Sequence, residues 1–258
     1  MGRRSAHQRY LDEVGPCITN LNYYVDDVAH AKQLLNGLGA ETCSEGPSTL
    51  VSSLADYGPT NTRPGGDGRP YLFLGSRHLL GFDLEIMEPN FHRFVDQEVQ
   101  LPCFYGPRPG DGIEGFRLLR LSIVVPDLEA TYDNVVEIFT PGSRSNPYGV
   151  REGASGRAFR ITLGGLELEY CQPTAPDGAL AQHLDTYGPG VVAAEFGLPS
   201  ISALLDRVEA DLSVEVTTRA DLLGDPAARK HWAIASRDLL GFDVVLEELD
   251  DHALVATP

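Results

Sequence analysis

SRHLLGFD, Ser76 to Asp83, and SRDLLGFD, Ser236 to Asp243, agree at seven of eight positions. Chance rarely produces such a match within one chain, so the segment marks an internal duplication. A second match lies upstream of each. Tyr10 to Pro16 reads YLDEVGP and His183 to Pro189 reads HLDTYGP, with Leu, Asp, Gly and Pro at the same spacing ahead of an apolar run. The two copies begin and end alike. They lie 173 residues apart at the upstream match and 160 at the downstream one, so the first copy carries 13 extra residues. The stretch GPTNTRPGGDG from Gly58 is the expected place for them, because Gly, Pro and Asn make surface loops that tolerate insertion.

Each copy reads as a strand, a helix and further strands. In the first, Ile18 to Val25 is rich in β-formers. Asp26 or Asp27 can cap a helix in which Val28, Ala31, Leu34, Leu35 and Leu38 recur at helical spacing, with Gly39 at its end. Tyr71 to Leu74 and Phe82 to Met87 read as strands separated by a turn around Ser76 to Leu80. The later copy runs through Val191 to Leu198, a helix from about Ser200 to Leu212, and strands at Ser213 to Val216, His231 to Ala235 and Phe242 to Leu246. Between the copies lies a third unit: a strand at Leu119 to Val125, a helix from Asp127 to about Phe139, and strands at Ala158 to Leu163 and Leu166 to Cys171. The expected organisation is a first βαβββ module over residues 10–90, a linker over 91–116, a second module over 117–180 and a third over 181–250 that pairs with the second.

The composition narrows the partners. A chain of 258 residues, 42% hydrophobic and 22% charged, has the make-up of a globular protein. Its net charge of −17 disfavours nucleic-acid phosphates and anionic membranes, which attract clustered Lys and Arg. No apolar run approaches the ~20 residues of a membrane span, and the N-terminus has no apolar core of a signal peptide, so a cytoplasmic location is expected. Cys17, Cys43, Cys103 and Cys171 form no CxxC pair and are expected as mostly buried thiols. A small organic ligand is the expected partner.

The segment LRLSIVVPDLEATYDNVVEIF from Leu119 resembles the opening strand and helix of glyoxalase and methylmalonyl-CoA epimerase proteins. LELEYCQPTAPDGALAQHLDTYGPGVVAAEF, Leu166 to Phe196, resembles the junction between paired modules in the same group, the vicinal oxygen chelate superfamily. The resemblance implies an α+β fold of repeated βαβββ modules, with mixed sheets curled into cups and helices on the convex face. The cup binds the ligand and usually a divalent metal such as iron, manganese, nickel or zinc. Three modules are an odd number. The first starts with the LDxxGP lead-in of the third, so it resembles a second-half module without its first half, and a homodimer would complete the cup.

The resemblance places metal ligands on the first strand of a module, five residues before its end, and on the last strand. Those positions hold Asn20, Arg120 and Ala193, and then Glu85, Glu169 and Val245. A guanidinium has no lone pair to donate, and Ala and Val cannot coordinate. No metal and no other cofactor is expected; the alternative is a divalent metal held by another route through His78, His92, His183 or His231. Instead Arg120 and Glu169, on strands of one module, can pair with each other or bind a substrate carbonyl, and Glu85 or Glu169 is a candidate base. Asn20, Asn22 and Tyr24 alternate onto one strand face suited to an oxygenated or aromatic ligand, and equally suited to water. Glu195 matches Asn22 and follows two alanines that leave room beside its carboxylate. Asp83, Asp243 and Glu167 are weaker candidates. The expected function is lyase or isomerase chemistry without a metal, through proton removal beside a carbonyl. The alternatives are a non-catalytic protein that sequesters its ligand, like bleomycin-resistance proteins, and a metal-dependent dioxygenase or lyase.

Overall fold

The computed structural model describes residues 11–12, 15–47, 70–87, 117–139, 149–163, 166–198, 200–202, 204, 216–219 and 231–249. The expected linker up to residue 116, the GPTNTRPGGDG stretch, His92, Cys103 and most of the helix expected after Ser200 lie outside them. The chain forms two compact units, one of residues 20–113 and one of residues 1–19 with 114–258. Among the described residues, no helix is long and apolar enough to cross a membrane.

In the first unit, β1 (Asn20–Tyr24) leads to α1 (Val28–Gly37). The Asp27 carboxylate accepts the backbone N–H of His30 at 2.8 Å and so caps the helix. Next come β2 (Glu41–Pro47), β3 (Pro70–Gly75), the short helix α2 (Arg77–Leu80) and β4 (Asp83–Met87). They form a four-stranded mixed sheet in the order β1-β4-β3-β2, with β1 parallel to β4. Leu35, Leu72, Leu74, Leu80, Phe82, Leu84 and Ile86 form its core.

The second unit holds β5 (Arg117–Val124), α3 (Leu128–Phe139), β6 (Arg151–Glu152), β7 (Gly156–Leu163) and β8 (Leu166–Pro173). They are followed by α4 (Ala179–Tyr187), β9 (Gly190–Leu198), β10 (Val216–Arg219), β11 (His231–Ile234), α5 (Arg237–Leu240) and β12 (Asp243–Glu248). The eight strands make one mixed sheet, β10-β11-β12-β9-β5-β8-β7-β6, in which β5 and β9 pair antiparallel at the centre. Outward from that pair, β5-β8-β7-β6 and β9-β12-β11-β10 repeat the order β1-β4-β3-β2. The expected duplication is therefore present in the strand order. Neither sheet closes into a barrel, and the fold class is α+β.

The repeated octapeptide folds the same way twice. Ser76 and Ser236 donate from Oγ to the carbonyls of Phe82 and Phe242, at 3.0 and 2.9 Å. Gly81 and Gly241, at φ 78° and 80°, donate to the carbonyls of Arg77 and Arg237, each at 2.7 Å. The expected turn is thus a one-turn helix closed by a left-handed glycine. The upstream repeat is also a helix end, where the N–H of Gly15 reaches the Leu11 carbonyl at 3.0 Å and that of Gly188 the Leu184 carbonyl at 2.9 Å. The lead-in to the third module is therefore itself a helix, α4.

Both faces of the eight-stranded sheet are covered in part. On one face α3 brings Leu128, Val135 and Val136, all buried. Phe159 stacks on Tyr170 with centroids 5.0 Å apart and meets Tyr132 of α3 edge-on at 5.3 Å. On the other face Leu180 and Leu184 of α4 pack with Val124, Ala158, Cys171 and Val192. By strand alternation, Ala158 shares its face with Arg160, and Cys171 with Glu167 and Glu169. Helix α4 therefore closes one end of a face that carries Arg160, Glu167 and Glu169 further along.

Candidate active site

That charged face is built by six strands. Register sets Arg120 of β5 beside Glu167 of β8, Ser122 beside Glu169, and Glu169 beside Arg160 of β7. On the other side, Arg120 faces Glu195 of β9. The Arg120 guanidinium pairs through Nε with Glu167 and through Nη1 with Glu195 at 3.0 Å. Glu169, only 2% exposed, accepts from Arg151, from Nε of Arg160 at 2.8 Å and from Oγ of Ser122 at 3.3 Å. Arg160 also lies 3.4 Å from Glu167. Arg120 and Glu169 thus share one cluster, but each has other direct partners in place of the expected pairing.

Glu195 stands apart chemically. It is 6% exposed, and burial pushes its carboxyl up to about 7. The Arg120 charge works against that rise, while a side-chain hydrogen bond with Glu247 and the charges of Glu247 and Glu169 add to it. Around it, β9 places Ala193 and Gly197 on the same face. The position of a Cβ on Gly197 would lie 2.6 Å from Leu249 Cδ1 and 2.9 Å from Leu119 Cδ1, so these two side chains cover Gly197. Burial works against the charge of Arg120, yet the carboxylates of Glu195, Glu169 and Glu167 outweigh it and raise its pKa.

The remaining candidates lie in the first unit. Asn20 donates from Nδ2 to Asn22 Oδ1 at 2.8 Å and to Glu85 Oε2 at 3.1 Å. Asn20, Asn22 and Glu85 therefore meet on one face, at the module positions held elsewhere by Arg120, Ser122 and Glu169. Tyr24 ends β1. Asp83 and Asp243 fasten the repeated turn: Asp83 accepts the N–H groups of Ser76 and Arg77, each at 3.0 Å, and Asp243 accepts from Arg237 at 2.7 Å. Burial raises the Asp83 carboxyl above its ordinary range, against the pull of those two N–H donors.

The divalent metal implied by the resemblance does not fit this donor set. The carboxylates of Glu167, Glu169 and Glu195 are held by guanidinium groups, and Ala193 and Val245 offer no donor atom. Among the described residues, no three His, Cys, Asp or Glu side chains are grouped to hold a metal ion. His78 is exposed, and His183 is buried on α4 against the Tyr187 ring, 5.1 Å between centroids.

Sequence reasoning missed Arg151, Arg160, Ser122 and Glu247, and ranked Glu167 low. Arg160 was within reach. The strands Ala158 to Leu163 and Leu166 to Cys171 are separated by Gly164-Gly165, a two-residue hairpin signal that sets Leu163 opposite Leu166 and Arg160 opposite Glu169. Glu247 carried no such signal, because the family position on that strand is Val245.

No protein-family model matches the chain, and no curated protein matches it. Among solved structures it is similar to a triple mutant of 4-hydroxymandelate synthase from Streptomyces coelicolor, at 18% identity and a TM-score of 0.59, over 95% of this chain and 75% of that one. It is also similar to methylmalonyl-CoA epimerase from Mycobacterium tuberculosis, at 17% identity and a TM-score of 0.38, over 53% of this chain and 90% of that one. With its repeated strand order and the first of these likenesses along nearly its whole length, the chain shares the fold of that 4-hydroxymandelate synthase.

Proposed function

We propose that this protein is a small-molecule enzyme of lyase or isomerase type that removes a proton from the carbon beside a carbonyl, without a metal. The carrying observation is Glu195, a buried carboxyl poised near neutrality beside the Arg120 guanidinium. A general base works best when its pKa lies near the working pH, and burial supplies that here. Glu195 takes the proton. Arg120 spends Nε and Nη1 on Glu167 and Glu195, leaving N–H donors on Nη2 for the oxygen on which negative charge develops. Glu169, held by two guanidinium groups and a hydroxyl, is better suited to fixing Arg151 and Arg160 than to accepting a proton. Asn20, Asn22 and Glu85 form a second polar patch suited to hydroxyl or carbonyl groups. We infer that the protein acts on an oxygenated or aromatic metabolite, in the cytoplasm and as a homodimer.

The test is proton exchange in deuterated water with chelator-treated protein, over a panel of 2-keto acids, 2-hydroxy acids and 2-substituted acyl thioesters, followed by nuclear magnetic resonance. Deuterium should enter the carbon beside the carbonyl of at least one compound, and Glu195→Gln should abolish it. Exchange that needs added iron, manganese, nickel or zinc would overturn the metal-free reading. Tight binding of a panel member without any exchange would favour the sequestering protein.

A further inference from the structure

Register sets Arg120 between two carboxylates, Glu167 of β8 on one side and Glu195 of β9 on the other. Each takes a different nitrogen of the guanidinium, Glu167 at Nε and Glu195 at Nη1. Among the described residues these are its two ion pairs. Of the other charged residues that register places on this face, Asp243 pairs with Arg237 at 2.7 Å, and Arg117 and Glu247 both stand beside Gly197, two residues along β9 from Glu195. An arginine side chain turns about several single bonds, so one partner leaves the guanidinium free to swing, whereas two at different nitrogens fix its plane. The two partners differ in permanence. A carboxylate that takes a proton loses its charge, and with it most of its hold on a guanidinium. Glu195 is the proposed base, so its contact weakens within each turnover. Glu167 is held from its far side by Nη1 of Arg160 at 3.4 Å, and Nε of Arg160 is bound at 2.8 Å to Glu169, which is 2% exposed. Its position is therefore tied to a buried network that lies outside the proposed proton transfer.

We propose that Glu167 is the positioning residue of Arg120, keeping the guanidinium aimed at the substrate oxygen while Glu195 loses and regains its charge. The inference rests on the function proposed above for the substrate and the base; the anchoring of Arg120 stands without it. With Nε fixed by Glu167, the guanidinium keeps its plane when Glu195 is protonated, and Nη2 remains the donor for negative charge on the substrate. Glu169 keeps Arg151, Arg160 and Ser122 without any help from Glu167. The Glu167 side chain is itself 31% exposed, so the fold survives its removal.

The experiment reads the Arg120 Nε–H by nuclear magnetic resonance of the full-length, ¹⁵N-arginine-labelled protein without any substrate, with Arg120→Lys identifying the signal. In the wild type this hydrogen should exchange with water about tenfold or more slowly than that of free arginine at the same pH, and in Glu167→Ala the protection should be lost. Glu167→Gln keeps an oxygen acceptor at the same reach and should retain most of it. Free exchange in the wild type, or unchanged exchange in Glu167→Ala, overturns the proposal. Damage as great in Glu167→Gln as in Glu167→Ala also overturns it, because Glu167 would then act through its charge alone. For a panel compound whose deuterium exchange the wild type catalyses, Glu167→Ala should lower kcat by about tenfold or more with KM nearly unchanged. Glu167→Gln should recover most of that loss, and a loss confined to KM overturns the positioning role. Protection of the Nε–H that depends on Glu167, in a protein that exchanges no panel compound, would support the anchoring and remove the enzymatic reading.

Discussion

At the scale of single residues, the site is a balance of burial against charge. Glu195 has an ordinary value of 4.5 and a folded value of about 7. Between these pH values the folded chain holds a proton that the unfolded chain has released. Its contribution to stability is full below 4.5 and is lost as pH rises through about 7. Activity should run the other way, since the base must be ionised. We expect kcat/KM to rise with pH to a plateau above about 7, and denaturation midpoints of the wild type to fall over that range relative to Glu195→Gln; a flat rate profile would contradict the role of Glu195. Arg120 gives a second expectation. An ammonium cannot span Glu167 and Glu195 as the planar guanidinium does, yet it keeps a positive charge. Arg120→Lys should therefore lower turnover less than Arg120→Ala, for which a loss on the order of 10²–10³-fold is expected of a missing oxyanion donor. Equal losses in steady-state assays would remove Arg120 from the reaction. That Arg120, Glu169 and Glu195 share one sheet face was legible, because side chains alternate along a strand. Their pairing was not, because the partners of Arg120 depend on the β5–β9 and β5–β8 registers, and the bulges between Leu118 and Arg120 and between Ser122 and Ile123 shift the first of these.

Among the elements, the repeated octapeptide shows what sequence settles and what it leaves open. Its apolar periodicity, its glycine and its serine were enough to place a chain reversal, and both copies share the serine and backbone hydrogen bonds. Burial was not legible. Leu80 is 0% exposed, whereas its counterpart Leu240 is 43% exposed. Leu80→Ala should cost about 2–5 kcal/mol and Leu240→Ala within about 0.5 kcal/mol, measured by chemical denaturation; equal costs would mean that the two turns have the same surroundings. Gly241 tests the turn itself. It combines φ 80° with a Cβ position 1.5 Å from the carbonyl oxygen of Pro16, so Gly241→Ala forces both strain and a backbone shift. A loss well above the ~1 kcal/mol of an unfavourable dihedral alone is expected. The elements that escaped prediction are those without apolar periodicity: β2, which reads ETCSEGP, and the two-residue β6. Helix α4 escaped because its N-cap is Gly178, which gives no side-chain cap.

At the scale of the whole molecule, the first strands of the modules decide how sheets join. In the second unit β5 and β9 pair antiparallel, and this single contact turns two four-stranded arrays into one eight-stranded sheet. In the first unit β1 holds the same place in its module as β9, but among the described residues its one strand neighbour is β4. A second copy brings an identical β1, and two such strands related by a two-fold axis run antiparallel, as β5 and β9 do. The resulting sheet would repeat within a dimer what the second unit achieves within one chain, and would set two copies of Asn20, Asn22 and Glu85 on one surface. We therefore expect light scattering to give twice the 28.0 kDa chain mass at micromolar concentration. Hydrogen exchange should show the amides of Asn20 to Tyr24 gaining protection as concentration rises through the dimer dissociation constant. A monomer mass at all concentrations would mean that β1 needs no second copy. A dimer whose β1 amides exchange equally at all concentrations would place the interface on another surface.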